Sequence, residues 1–172
     1  RGHLTQLVTE VKDEIYQPGE LYAFDHGLGD CNVKRMLDLF DRWESRANGR
    51  IHILFGPQGP DFLSRERLLE IRKLAIERGT KIHMHIAQGD RETAQMIMRY
   101  GQRPIKWLDD LGYFDKSLIA VHLTDATDEE THLIAQKGSS MVLCSNSIGI
   151  IDGIVPPAKV FIDSGGIVGL GS

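Results

Sequence analysis

The sequence predicts a parallel α/β fold of the (β/α)8 TIM-barrel type, with six of its strands present. Three observations lead there. Apolar periodicity switches repeatedly between the two-residue repeat of strands and the roughly 3.6-residue repeat of helices, so each strand is joined to the next by helix and neighbouring strands run parallel. Two of the strands carry histidines on a single face. The glycine pairs Gly27/Gly29 and Gly165/Gly166 lack the GxGxxG spacing of a dinucleotide-binding unit, and histidines converging from separate strand ends suit a barrel better than a doubly wound sheet. Six strands are two too few for a closed barrel. Either the sheet is open, or the chain is a portion of a barrel whose first two strands lie upstream.

The elements follow in order. Leu4, Leu7, Val8, Val11 and Ile15 recur at helical spacing and predict an amphipathic helix. Glu20 to Phe24 is short, apolar and aromatic, which predicts the first strand, and Asp25 to Asp30 is a glycine-rich connection out of it. Asp30 is placed to cap a helix carrying Val33, Met36, Leu37, Phe40 and Trp43. Arg50 to Gly56 alternates like a strand, Pro57 to Pro60 forces a loop, and Leu68, Leu69, Ile71, Leu74 and Ala75 resume helical spacing up to Gly79. A strand is expected at residues 81–87, then a helix capped by Asp90 and ended by Gly101, and a short helix from Pro104 closed by Gly112. Leu118 to Leu123 is a strand. Thr127 with Glu130 three residues later forms a capping box for the next helix, which stops at Gly138 before a strand over 139–144. Pro156-Pro157 opens a last helix through Val160 and Phe161, and Ile167 to Gly171 is the sixth strand.

The strand over residues 81–87 is the most informative. Alternation puts His83 and His85 on one face and Ile82, Met84 and Ile86 on the other. In the later strand, Leu118, Ala120 and His122 share a face, opposite Ile119, Val121 and Leu123. Taken singly, each histidine is as readily a hydrogen-bonded interior residue as a ligand. Two strands aiming imidazoles at one space point to metal-dependent hydrolysis.

Composition narrows the class. The 172 residues, 41% of them hydrophobic, can bury a core, and the net charge of −4 with scattered basic residues offers no nucleic-acid face. Cys31 and Cys144 stand apart with no CxxC, so free thiols in the cytoplasm are expected. No apolar run approaches the roughly 20 residues of a membrane helix, and Arg1-Gly2-His3-Leu4 has no signal-peptide layout. Neither a nucleic-acid nor a membrane partner is expected.

Several segments resemble the amidohydrolase superfamily, in its branch of S-adenosylhomocysteine/methylthioadenosine deaminases, guanine deaminase-like enzymes and triazine hydrolases. They are Ile82-His83-Met84-His85-Ile86-Ala87-Gln88, Ala120-Val121-His122-Leu123-Thr124 with Thr127 to Glu130, Cys144 to Ser147 ahead of Gly153 and Pro156, and Val168-Gly169-Leu170-Gly171-Ser172, covering the chain from about residue 30 onward. The resemblance implies a (β/α)8 barrel with one divalent metal, zinc or iron, at its C-terminal mouth. It makes the present strands 3 to 8, His85 the strand 5 metal ligand, and His122 the strand 6 histidine that orients or binds the attacking water. No His-x-His of strand 1 precedes Glu20, and the strand 8 aspartate would fall one position beyond Ser172.

The family pattern has His-x-x-Glu after strand 5, whereas this chain has His85-Ile86-Ala87-Gln88. An amide cannot pass a proton to a leaving amine as a carboxylic acid does. The resemblance implies a metal-dependent, deaminase-like hydrolase of C–N bonds in a purine, triazine or related nitrogen heterocycle, and Gln88 makes hydrolytic dehalogenation or amine displacement the alternative. His122 and Gln88 are the catalytic candidates, His85 the metal ligand, and Gln58 and His26 the substrate contacts. His83 and His52 are expected to be interior residues, and His3 and His132 carry no role. Taken as one partial barrel domain over residues 1–172, the chain is expected to be inactive by itself, with exposed strand edges that pair into homo-oligomers.

Overall fold

The structure is a computed structural model and describes residues 1–171. Its strands are β1 (Gly2–Val8), β2 (Ile51–Pro57), β3 (Ile82–Ile86), β4 (Leu118–His122), β5 (Ser140–Cys144) and β6 (Val168–Gly171), neighbours in the sheet in sequence order. The β1/β2, β2/β3, β4/β5 and β5/β6 pairings are parallel. Helices α1 (His26–Trp43) and α2 (Arg46–Gly49) connect β1 to β2, and α3 (Arg65–Arg78) connects β2 to β3. Helices α4 (Asp90–Tyr100) and α5 (Pro104–Asp110) precede β4, and α6 (Asp128–Gln136) precedes β5. Helix α7 (Ser145–Ser147), a π-helical turn (Ile148–Asp152) and α8 (Ala158–Asp163) lead to β6. Repeated parallel strand–helix units are the fold the periodicity predicts, part of a (β/α)8 barrel. No helix among the described residues is long and apolar enough to cross a membrane. Ser172, the last residue of the terminal motif, lies outside the described residues.

The chain folds as two compact units, Arg1–His83 and the segment from Met84 onward. In the first, β1 and β2 pair over seven positions, from Gly2 opposite Ile51 to Val8 opposite Pro57. Gly56 permits this approach: a Cβ there would stand 2.2 Å from the Thr5 hydroxyl. Val8, Ile53, Phe55, Met36, Leu68 and Ile71 fill the core.

Three expectations for this first unit are corrected by the structure. Residues 4–8 lie in β1 and do not start a helix; β1 is exposed along most of its length, so its sequence carries no burial alternation, and the ladder to β2 makes it a strand. Glu20 to Phe24 is not a strand. Its aromatic character serves loop packing, with Tyr22 buried against Phe62 and edge-on to Tyr16 at ring separations of 5.2 and 4.8 Å. Asp30 does not cap α1; Asp25 does, accepting from Leu28 N–H at 3.0 Å, so Gly27 and Gly29 lie inside the helix. Gly29 is required by packing, since a Cβ there would meet the Glu10 side chain at 2.7 Å.

In the second unit, Ile86, Met96, Leu108, Tyr113, Ala120 and Met141 are fully buried. The capping box at α6 is present in both directions, Thr127 accepting from Glu130 N–H at 3.2 Å and Glu130 accepting from Thr127 N–H at 2.9 Å. The caps of α3 and α4 are as the glycines predict, with Gly79 and Gly101 in the left-handed region. The N-cap of α4 is Gly89, one residue before Asp90.

Candidate functional site

Along β3 the burial alternates residue by residue: Ile82, Met84 and Ile86 are buried, while His83 and His85 are half-buried on the other face. Three apolar side chains seated in the core fix the strand's rotation and leave His85 facing away from it. On β4, His122 is buried, 7% exposed. The two rings lie 5.2 Å apart between centroids, tilted by 50°. The structure thus brings together the two histidines that the sequence placed on separate strands.

The backbone at these strand exits is unusual. Ala87, His122 and Leu123 have φ of 48°, 77° and 57°, the left-handed region that non-glycine residues seldom occupy. Each such residue costs on the order of 1–3 kcal/mol, and it persists only where surrounding bonds over-determine it. Those bonds are present. Leu123 N–H donates to Ile86 O at 3.0 Å, and Asp125 N–H donates to Ala87 O at 2.8 Å. Glu92, 6% exposed in the first turn of α4, accepts from Ala87 N–H at 2.8 Å and from Gln88 N–H at 2.9 Å. One residue further along α4, the Thr93 hydroxyl donates to Asp125 at 2.6 Å. Arg103 completes the frame with a two-pronged bond to Glu130 at 3.0 and 3.1 Å and an ion pair to Asp125 at 3.6 Å. The Glu130 bond is the main reason the Arg103 guanidinium is held above its ordinary value.

The donor chemistry suits a divalent metal. Zinc sits about 2.0–2.1 Å from an imidazole nitrogen, and a water oxygen sits about 2.7–3.0 Å from its hydrogen-bond partner, so rings 5.2 Å apart can address one ion and a water beside it. Aromatic pairing covers the same range of about 4.5–7 Å, but pairing alone gives no reason for a φ of 77° at His122. Among the described residues no group of three or more His, Cys, Asp or Glu is assembled to hold a metal. Gln88 is half-buried directly after Ala87.

The remaining candidates lie in the first unit. Gln58 follows β2, half-buried, its N–H donating to Val8 O at 2.9 Å. His26, with a side chain 71% exposed, opens α1 beside a cavity of about 410 Å³ lined also by Lys12, Tyr16, Phe24 and Asp25. Its Nδ1 lies 2.9 Å from Glu10, a fully buried carboxylate the sequence reading missed. Glu10 also accepts from Ser64 N–H at 2.6 Å and lies 3.4 Å from Arg67 Nε. Burial pushes the Glu10 carboxyl up, but the His26 and Ser64 bonds and the Arg67 charge together hold it below the usual range. The same bond holds the His26 imidazole above its ordinary value. No periodicity marks Glu10, because it stands in the turn after an exposed strand. Glu92 did leave a signal: a glutamate at the third position of a helix is half of a capping box, though its partner position here is Gly89.

Parallel strand–helix repeats with imidazoles gathered at two strand exits define a barrel-type protein with a histidine site. The chain belongs to the Amidohydrolase family, whose model matches residues 14–172, further toward the N-terminus than the motifs alone reach. It is 31% identical to a 5-methylthioadenosine/S-adenosylhomocysteine deaminase of Thermoanaerobacter pseudethanolicus, over 100% of this chain and 37% of that protein. An adenosine deaminase of Xanthomonas campestris with bound zinc superposes with a TM-score of 0.79 at 28% identity, covering 96% of this chain and 35% of that one. The atrazine chlorohydrolase TrzN of Arthrobacter aurescens, complexed with zinc, superposes at 0.82 with 19% identity, covering 99% and 37%, and shares the fold. The chain spans little more than a third of the length of these relatives.

Proposed function

We propose that the chain is the strand 3 to strand 8 portion of a metal-dependent hydrolase that cleaves a C–N bond of a purine, triazine or related nitrogen heterocycle. The observation that carries the proposal is the His85–His122 pair, 5.2 Å apart at the exits of β3 and β4 on a strained, multiply bonded backbone. The deaminase at 31% identity makes an aminopurine the first substrate class to try. His85 holds the ion through a neutral ring nitrogen. Zinc, or iron in its place, supplies when bound a Lewis acid that lowers the pKa of water from about 15.7 toward about 7. His122 holds the attacking water and takes its proton at a ring nitrogen. Burial of His122 keeps bulk water from competing for that bond. Gln58 and His26 are proposed substrate contacts.

Gln88 favours a second reading. A carboxamide hydrogen-bonds a substrate but does not hand over a proton, so a leaving group that departs without protonation, such as chloride, is suited to it. Assaying the complete gene product against aminopurines and chloro- and aminotriazines for ammonia and chloride release separates the two. In the same preparations, His85→Ala is expected to lose stoichiometric metal by elemental analysis, and His122→Ala to keep metal while losing turnover. Full metal content in His85→Ala overturns the ligand assignment. Full turnover in His122→Ala overturns the proton-transfer role.

A further inference from the structure

The two amides that directly follow β3 are bonded by a side chain that is not on β3. Glu92 lies seven positions after His85, and its carboxylate reaches back past the α4 N-cap to the N–H groups of Ala87 and Gln88, at 2.8 and 2.9 Å. A conventional capping box would end at the N-cap residue itself; this one extends to the two residues before it. Ala87 is one of the left-handed residues, and its carbonyl in turn accepts from Asp125 N–H of the segment following β4. A buried side chain whose two carboxyl oxygens accept from two adjacent amides, next to a strained residue that also bonds the neighbouring strand's exit, is more than a helix start needs. Asp90 already supplies a first-turn charge to α4.

We infer that Glu92 is a positioning residue for the histidine pair: by fixing the backbone at Ala87 and Gln88 it fixes the direction in which His85 faces His122 and the place at which Gln88 stands. The carboxylate acts through the two amides. This rests on the proposal that His85 holds a metal ion. Ligand orientation depends on such supporting bonds, and losing one weakens metal affinity by about 10- to 100-fold. Glu92→Gln keeps the shape but turns one acceptor into a donor facing an N–H. Glu92→Asp keeps both acceptors on a stem one carbon shorter.

The test uses the complete gene product in four forms: wild type, Glu92→Gln, Glu92→Asp and Asp90→Asn. Zinc affinity is read by chelator competition, and deuterium uptake is read at the amides of residues 87 and 88. Glu92→Gln is expected to weaken zinc binding by about 10- to 100-fold and to release both amides to exchange. Glu92→Asp should recover part of both. Asp90→Asn, which disturbs the helix start without contacting either amide, should leave both unchanged. Equal zinc affinity in wild type and a folded Glu92→Gln overturns the inference, and so does an equal loss in Asp90→Asn. A wild type that binds no zinc overturns the metal proposal instead. Should neither Glu92 variant fold, exchange in metal-free wild type still decides: slow amides at 87 and 88 support the clamp, and exchange as fast as in an exposed loop refutes it.

Discussion

Replacing Ala87 by glycine measures how much strain the candidate site stores. Ala87 is fully buried with φ of 48°, and Ala120, two residues before His122, is also fully buried but has no positive φ. Both substitutions remove one buried methyl group, about 0.8 kcal/mol. Both free the unfolded chain, at about 0.4–1 kcal/mol. At Ala87 alone, glycine also removes the left-handed penalty, about 1–2 kcal/mol in the opposite direction. The sums are near zero for Ala87→Gly and about 1.5 kcal/mol of destabilisation for Ala120→Gly. Urea unfolding in a Trp43→Phe background, so that buried Trp107 reports on the second unit, gives the comparison directly. Equal losses for the two variants would show that Ala87 is not strained, and would remove one of the grounds for reading the strand exits as a functional site. Near-neutral stability together with weaker zinc binding in Ala87→Gly would show that the strain serves ligand placement.

Two further outcomes follow from the ion pairs. His26 is held above the ordinary imidazole value of about 6.5 by Glu10, so the stability it contributes is complete below that value and is lost as pH rises through its raised one. Glu10 is held low, so its own contribution is present above the ordinary carboxylate value and is lost as pH falls through the lowered one. The difference in urea midpoint between wild type and His26→Ala should therefore be widest on the acid side of about pH 6.5 and close on the alkaline side; a pH-independent difference refutes the pairing. Glu130→Ala removes both a capping-box acceptor and the two-pronged partner of Arg103, and should cost about 1–2 kcal/mol by thermal or urea unfolding. A change within about 0.5 kcal/mol, as for an ordinary surface substitution, would show that this frame is not needed.

Where sequence and structure agree, a strong local period is responsible. Ile82, Met84 and Ile86 in strict alternation with His83 and His85 leave a strand one way to bury its apolar side, so the facing of His85 follows from the residues alone. Thr127 with Glu130, and Gly79 and Gly101 at helix ends, are local chemistry that distant contacts do not revise. Where they disagree, the deciding partner is far along the chain. Leu4, Leu7 and Val8 fit a helical period as well as a strand, and only the ladder to residues 51–57 selects the strand. Asp30 is a sound cap by composition, but Arg67, 37 residues away, takes it as an ion-pair partner, and Asp25 caps instead.

The sequence by itself determined the alternation of strand and helix and the apolar face of β3, because those depend on periods of a few residues; preferring His85 over His83 on the face they share came from the family resemblance. Tertiary structure decided that the two rings stand 5.2 Å apart, that Ala87, His122 and Leu123 adopt left-handed backbone, and that Glu92 and Glu10 are buried acidic side chains with backbone partners. Strain and buried charge are tolerated only where several separate segments supply bonds at once, and no local pattern records that convergence.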